Sequence, residues 1–411
     1  MNNEQVSASP SITLKKWLQS LGPGLITAAL VFGPSKMTIT SKLGAEYGFS
    51  LLWVIVVAIF FMVIFTSMAA RIGMATNQSL LSSIREKYGR SAAVAVGIGV
   101  FLVCTSFQAG NSVGVGIALG ELTGTPPKQW IIGSTLLGIG LLFFKTFYKV
   151  LEKLMILLIG LMLVAFITTF VMVKPVMSDI LSGMSPSLPD GSISLVIAFT
   201  ASCVSIVGAF YQSYLVQERR RITANSSQTK NDSFTGILIL GIMSAIVLIC
   251  AATVLLPKGI KVNSATDMSK ALEPLFGKYA SALFLIGLFG AAFSSLIGNA
   301  SVGGTLLGDA LGYGGQLGSK RVKYLIALVM VIGAVIAIIF GKLPLELIVF
   351  AQSITIFIVP FIGITMYMIA NDEKLMGEMK NKLATQIFAG LGLLIITALA
   401  LVNIKDLFFK D

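Results

Sequence analysis

Long apolar runs follow one another along almost the whole chain, with short polar connections between them. About 20 apolar residues in a helix cross the ~30 Å hydrocarbon core of a bilayer, so each run predicts one transmembrane helix. The pattern predicts an all-α polytopic membrane protein of about eleven spans, forming a single transmembrane domain over residues 1–411. The predicted spans are residues 18–45, 50–70, 92–119, 128–146, 150–173, 191–216, 234–256, 278–303, 321–341, 344–370 and 383–403.

Two of the predicted spans carry residues that interrupt a helix. The first contains Gly33-Pro34, and proline removes a backbone donor and clashes with the preceding turn. The sixth has a small and polar centre at residues 202–208. Breaks at matching places in two halves are typical of inverted-repeat transporters with a midplane site, although a proline kink and a small-residue packing face would give the same pattern. The predicted organisation is two repeats and an extra helix, at about 18–173, 191–370 and 383–403.

Charge and composition restrict the class of protein. Only 12% of the residues are charged and 55% are apolar, whereas a soluble domain carries about 25% charged residues. The net charge of +12 does not indicate nucleic-acid binding, because Lys and Arg lie mainly in the connections between apolar runs. With a cytoplasmic N-terminus, the inner connections hold most of these residues. We therefore expect the plasma membrane of a bacterium, with the N-terminus inside and the C-terminus outside.

The chain offers few residues for catalysis or metal binding. It contains no histidine, and its cysteines lie inside apolar runs at Cys104, Cys203 and Cys250. Buried cysteines of this kind act as small hydrophobic residues. We find no nucleophile paired with a base and no phosphate-binding loop, so the sequence predicts neither an enzyme nor a cofactor.

Short motifs in the first, second and tenth spans share the pattern of one transporter family. They are Gly22-Pro23-Gly24, Gly33-Pro34-Ser35-Lys36, Gly44-Ala45-Glu46-Tyr47-Gly48, Leu51-Leu52-Trp53, Ala69-Ala70-Arg71-Ile72-Gly73, Ala351-Gln352-Ser353, Pro360-Phe361 and Asn371-Asp372-Glu373-Lys374-Leu375-Met376-Gly377. Over nearly the whole chain the sequence resembles the Nramp (natural resistance-associated macrophage protein) divalent-metal transporters. The resemblance implies the leucine-transporter type of fold, with two inverted five-helix repeats and one additional helix.

The metal ligands of that family are replaced in this chain. Where the family has a ligating Asp and Asn in the first span, this sequence has Gly33 and Lys36. Where the sixth span of the family has a ligating Met, the aligned stretch 205–207 begins with Ser205. The resemblance therefore implies the fold, while no metal-binding residue is predicted here.

Positions that the family uses for proton movement are neutral as well. Gln108 and Asn111 stand in place of the third-span acidic pair, and Gln212 stands in place of a sixth-span His. Gln352 keeps the family residue at its aligned position. The proton route of the family is thus missing, and Lys36 is the remaining candidate for loading and releasing a proton.

Lys36 is the charged side chain nearest the centre of the predicted midplane region, and an ionisable residue there indicates a functional site. A divalent cation about 4 Å from its ammonium would be repelled by about 8 kcal/mol at an effective dielectric of about 20. A substrate carboxylate fits better, because a helix that begins after Gly33-Pro34 presents free N–H groups. The predicted substrate-binding residues are Gly33, Pro34, Ser35, Lys36, Gln108, Asn111, Ser205, Gly208, Tyr211, Gln212 and Gln352.

The sequence therefore predicts a secondary-active transporter, a symporter for a small carboxylate-bearing organic solute bound near Lys36. Its expected partners are that solute, the lipid bilayer and a coupling ion, either the proton or sodium, and nucleic acid is not among them. One alternative keeps the cargo of the family, a divalent cation such as Mg²⁺ or Mn²⁺ that retains part of its water shell. A second alternative is a membrane sensor that transports nothing.

Overall fold

The computed structural model describes residues 22–144, 146–222, 229–263, 267, 269, 272–273, 277–340 and 345–408. These residues form helices joined by short connections, with no strand among them. The all-α architecture predicted from the apolar runs is confirmed. The main helices are α1 Gly22–Val31, α2 Pro34–Tyr47, α3 Leu52–Ala75, α4 Leu80–Thr123, α5 Pro127–Leu142, α6 Phe147–Val173, α7 Met177–Ser182, α8 Ile193–Cys203, α9 Ile206–Ile222, α10 Thr229–Val254, α11 Lys278–Ala310, α12 Lys320–Phe340, α13 Leu345–Ala370, α14 Glu373–Met376 and α15 Leu383–Phe408.

Each predicted span corresponds to a helix or to a pair of helices. Within the described residues, eight segments are long and apolar enough to cross a bilayer, and α8 with α9 count as one of them. The first predicted span is the pair α1 and α2, because it is interrupted between Val31 and Pro34. The fourth is the 16-residue α5, and the tenth is α13.

The third span begins earlier than the apolar pattern indicates. Helix α4 starts at Leu80, where Ser79 accepts a hydrogen bond from the Ser82 backbone N–H at 3.0 Å as an N-cap. The apolar run starts only near residue 92, since the first turns of the helix are polar. Gly89 has φ +86°, so the polar turns and the apolar helix meet there at a kink.

Helices α4 and α11 form the most extensive pair in the bundle and stand at its centre. Small residues let their backbones approach closely, as is common between membrane helices. Gly97 on α4 faces Ala310, and a Cβ at Gly303 on α11 would lie only 2.8 Å from the Cys104 Cβ. The two broken helix pairs pack around this central pair.

Candidate functional site

The first helix break is held open by neighbouring helices. Gly33 is extended (φ −97°, ψ 176°), and Pro34 begins α2 at the position where a missing N–H costs least. The Gly33 N–H donates to the Val31 carbonyl, so the Ala29 carbonyl has lost its partner within the helix. Two serines of α11 replace that partner, as Ser294 and Ser295 donate to Ala29 at 3.0 and 3.2 Å.

The second break lies between Cys203 at the end of α8 and Ile206 at the start of α9. It contains no proline. Ser205 stabilises the start of α9, because its Oγ accepts a hydrogen bond from the Gly208 N–H at 3.1 Å. The polar and small residues of this stretch therefore serve the helix end itself, which agrees with the interruption predicted from the sequence.

The two breaks border one cavity, whose empty space of about 600 Å³ includes a part open to solvent. Its walls come from both broken pairs and from α4, α11 and α13. No carboxylate lines it among the described residues. The lining side chains that can form hydrogen bonds are Ser35, Lys36, Asn111, Ser202, Ser205, Asn299 and Thr355, and the apolar ones include Val103, Phe107, Ile206, Val302 and Val359.

Lys36 lies in the wall of this cavity with 1% of its surface exposed. Its Nζ has no hydrogen-bond partner among the described residues. Its Nζ lies 5.5 Å from the centroid of the Phe199 ring on α8, a distance at which an ammonium interacts with an aromatic face. The cavity thus contains an amine whose hydrogen-bonding capacity is unused.

Gly33 brings the backbone of the first break against α4 and α11. A Cβ at this position would lie 2.9 Å from Asn111 Oδ1 and 2.9 Å from Ser295 Oγ. Only glycine therefore allows the Asn111 amide to reach the broken backbone. This packing places the amide of α4 beside Ser35 and Lys36 in the cavity wall.

Six of the predicted site residues come together in the cavity, and the others lie elsewhere. Pro34 packs behind the wall, where a Cβ on Gly114 would be 2.5 Å from its Cγ. Tyr211 is fully buried outside the lining residues. The side chain of Gln352 lies outside the described residues. The six cavity residues are Gly33, Ser35, Lys36, Asn111, Ser205 and Gly208.

The two predicted glutamines, Gln108 on α4 and Gln212 on α9, lie outside the cavity lining and form hydrogen bonds between helices. Gln108 donates to the Leu296 carbonyl at 2.9 Å and accepts from Asn299 at 3.3 Å, so it faces α11 instead of the cavity. The sequence places Gln108 and Asn111 on one side of α4, but residues three apart differ by about 60° around a helix, enough to separate their directions. Gln212 accepts from the Thr27 hydroxyl and ties α9 to α1.

Sequence reasoning missed three polar residues of the cavity: Ser202, Asn299 and Thr355. Asn299 donates to the Cys104 carbonyl at 2.6 Å while lining the cavity. An amide inside the apolar eighth span was a signal that could have pointed to it. Ser202 and Thr355 carried no such signal, because small hydroxyl residues are common in packed membrane helices.

Comparison with known proteins establishes the family of this chain. Residues 24–406 match the family described as natural resistance-associated macrophage protein-like, Nramp. The chain belongs to the Nramp family. The predicted resemblance is therefore confirmed, and this Nramp chain is an integral membrane transporter by family.

Individual relatives agree with this assignment. The chain is 26% identical over 406 residues to the divalent metal cation transporter MntH of Chromohalobacter salexigens, covering 95% of this chain and 91% of that one. A crystal structure of the Eremococcus coleocola manganese transporter superposes with a TM-score of 0.79 at 20% identity, covering 99% and 90% of the two chains. A nucleobase-cation-symport-1 family transporter superposes with a TM-score of 0.59 at 12% identity, covering 95% and 94%.

These likenesses bear on two of the predictions. The structural neighbours confirm the predicted leucine-transporter-type fold. The relatives are named as divalent metal cation transporters, which supports the cation alternative and gives no support to the organic solute preferred from the sequence. The inverted repeat, the coupling ion and the orientation of the termini stay predictions.

Proposed function

We propose that this Nramp chain is a secondary transporter that carries a divalent cation through the cavity between its two helix breaks. The observation that supports this role is the cavity itself, which lies where both broken helix pairs meet and is lined by residues of seven helices. Broken helices in this position expose backbone carbonyls that coordinate ions. The names of the relatives support a divalent cation as cargo.

The cavity residues limit how such a cation is held. Ser35, Asn111 and Ser205 offer neutral oxygens, and no group of three His, Cys, Asp or Glu that could hold a metal occurs within the described part of the chain. A cation that keeps several of its waters, as Mg²⁺ does, needs few direct protein ligands. We therefore expect a hydrated hard cation, with water between most protein oxygens and the metal.

The charge of Lys36 also limits cation binding in the cavity. Its ammonium at about 4 Å from a dication would cost about 8 kcal/mol at an effective dielectric of about 20. Cation entry therefore requires the neutral amine, and the proton of Lys36 leaves as the cation arrives. Proton and cation then compete for the cavity, so cation affinity falls as the pH falls.

A carboxylate-bearing solute is the second candidate, and the unpartnered Nζ of Lys36 favours it. The first turn of α2 follows Gly33-Pro34 and has free N–H groups, and Ser35 and Lys36 of this turn line the cavity. An ammonium beside a helix N-terminus is an arrangement that binds substrate carboxylates in this fold.

The substitution Lys36→Met separates the two candidates in one experiment. Purified protein in proteoliposomes is tested for uptake of radiolabelled Mn²⁺ and Mg²⁺ and of a panel of amino and organic acids, and calorimetry measures binding. For a cation transporter, Lys36→Met binds Mn²⁺ at least as tightly as the wild type, because a repulsive charge is gone. For a carboxylate transporter, Lys36→Met loses uptake of the acid. The matched control is Lys128→Met at an exposed position.

The outcome that rejects the cation proposal is absence of Mn²⁺ and Mg²⁺ binding at millimolar concentration in both proteins. Equal acid uptake by wild type and Lys36→Met rejects the carboxylate candidate.

We further propose that the end of the bundle carrying Arg85, Arg220 and Lys323, called here the basic end, faces the cytoplasm of a bacterium. The excess of Lys and Arg in the connections at this end supports that orientation.

A further inference from the structure

Asp309 is a buried carboxylate that the cavity does not use. Three charged side chains are buried within the described part of the chain: Lys36, Asp309 and Lys323. Lys36 lines the cavity, and Lys323 donates to the Phe144 carbonyl at 3.3 Å. Asp309 lies at the last turn of α11, is 4% exposed and forms no ion pair with a described residue. An unpaired carboxylate is costly to bury, so its position calls for a reason.

The hydroxyl of Tyr214 is the hydrogen-bond donor to this carboxylate. Tyr214 on α9 donates to Asp309 Oδ2 at 2.6 Å and accepts from the Leu81 N–H of α4 at 3.4 Å. One hydroxyl therefore joins α4, α9 and α11. Arg85 lies nearby, but its Nη2 donates to the backbone carbonyls of Asp309 and Ala310 at 2.9 and 3.0 Å.

Asp309 lies two helical turns beyond the cavity on α11. Val302 lines the cavity, and Asp309 follows seven residues later on α11, about 10 Å along the helix axis. Thr305 lies between them in the sequence of α11, and its side chain is fully buried. Tyr211 is fully buried on α9 and stacks on Tyr214 with ring centroids 6.1 Å apart.

The rest of α9 is fastened at the basic end. Gln217 donates to the Gln78 carbonyl at 2.6 Å, and Arg220 donates to the Met74 carbonyl at 2.6 Å. These contacts hold α9 on the turn between α3 and α4. These hydrogen bonds and the contact between Tyr214 and Asp309 together fasten α9 to α3, to the turn between α3 and α4, and to α11.

We propose that Asp309 is the proton-binding site that controls opening of the basic end. The ionised carboxylate accepts a charge-assisted hydrogen bond from Tyr214, which holds α9 against α11. A proton that binds Oδ2 turns this oxygen from an acceptor into a donor. The hydrogen bond between Tyr214 and Asp309 then weakens, and α9 separates from α11. The proton is released to water at the basic end. The proposal rests on the chain being a transporter and does not depend on its cargo.

The charged and titratable groups near Asp309 come from three other helices. Tyr214 faces it from α9, and Arg85 faces it from α4 as a permanently charged group held on backbone carbonyls. On α12, Lys323 directs its ammonium to Phe144. Beyond α11, Arg321 lies 5.0 Å from the centroid of the Tyr313 ring. The carboxylate is the acidic group in this set, so its protonation removes the negative charge from the contact.

Thiol labelling at the cavity tests the proposal. Val302→Cys, in a background with the native cysteines replaced by alanine, is reacted with a membrane-impermeant methanethiosulfonate added from the basic end. We expect the wild-type background to label at least about fivefold faster at pH 5.5 than at pH 8, the lower end of typical coupling effects. Asp309→Asn and Tyr214→Phe are both expected to label fast at either pH.

Controls keep the result interpretable. Asp190→Asn and Tyr324→Phe alter exposed residues and should retain the wild-type response. The proposal is overturned if Asp309→Asn keeps the wild-type dependence of the labelling rate on pH. It is also overturned if the wild-type background labels at the same rate at pH 5.5 and pH 8. If Asp309→Asn does not fold, the labelling rate of Tyr214→Phe tests the proposal instead. Slow labelling of Tyr214→Phe at pH 8 overturns it. Absence of cation binding would reject the proposed cargo and leave this labelling pattern unchanged.

Discussion

The Nζ of Lys36 lies 5.5 Å from the ring centroid of Phe199, and the two residues belong to the two different broken helix pairs. This contact gives the ammonium a favourable neighbour but no hydrogen-bond acceptor. The cavity of this chain thus contains a buried amine. The proposed exchange of the Lys36 proton for a cation follows from that arrangement.

Lys36→Arg should abolish cation uptake at every pH between 6 and 9. Arginine stays protonated in proteins, so the repulsion of about 8 kcal/mol persists, whereas the wild-type lysine can release its proton. Uptake of radiolabelled Mn²⁺ into proteoliposomes measures the effect, with Lys128→Arg as control. Cation uptake by Lys36→Arg at the wild-type rate would contradict the exchange of proton for cation.

Asn111→Asp should raise cation affinity at least tenfold. The substitution keeps the size of the side chain and adds a carboxylate to a cavity that has none among its described lining residues. A unit charge about 4 Å from a dication contributes up to about 8 kcal/mol at an effective dielectric of about 20, far above the 1.4 kcal/mol that a tenfold change requires. Calorimetry with Mn²⁺ gives the dissociation constant, and weaker binding would favour the carboxylate solute.

Gly33→Ala should destabilise the protein by about 1–3 kcal/mol and lower uptake. The added methyl group would lie 2.9 Å from both Asn111 Oδ1 and Ser295 Oγ, so the break must shift to accept it. Thermal unfolding in detergent measures stability. Gly140→Ala is the control, because a methyl group there has no neighbour within 4 Å. Equal melting temperatures of both variants would show that the break tolerates a side chain.

The double substitution Ser294→Ala with Ser295→Ala should cost about 1–3 kcal/mol, while each single substitution costs less. Both hydroxyls donate to the Ala29 carbonyl, and removal of both leaves a buried acceptor without a partner. Thermal unfolding of the three variants checks this non-additivity. Ser106→Ala serves as control, since Ser106 is exposed and bonds within its own helix. Additive costs would indicate that the two serines act independently.

Several parts of the site were predictable because their signals are local. Gly33-Pro34 marks the first break within two residues, and the small and polar stretch at 202–208 marks the second. Lys36 stood out because a charge in the middle of an apolar span is rare. All three features line or border the cavity in the structure.

Other parts depend on how distant segments pack. Gln108 and Asn111 are one turn apart, yet Gln108 bonds to the Leu296 carbonyl of α11 and only Asn111 reaches the cavity. The rotation of α4 against α11 decides this difference, and no pattern within α4 encodes it. The contact between Tyr214 and Asp309 joins residues 95 positions apart, which a single sequence cannot pair.

The sequence by itself determined the all-helical membrane architecture, the order of the spans and the position of both breaks. These follow from hydrophobic length and from the local chemistry of glycine and proline, which act within one helix. Only the tertiary structure decided which polar side chains share the cavity and which close its exit, because helix rotation and close packing between distant spans set those directions. The contact between Asp309 on α11 and Tyr214 on α9 is one example, because only the packing of the two helices brings these residues together.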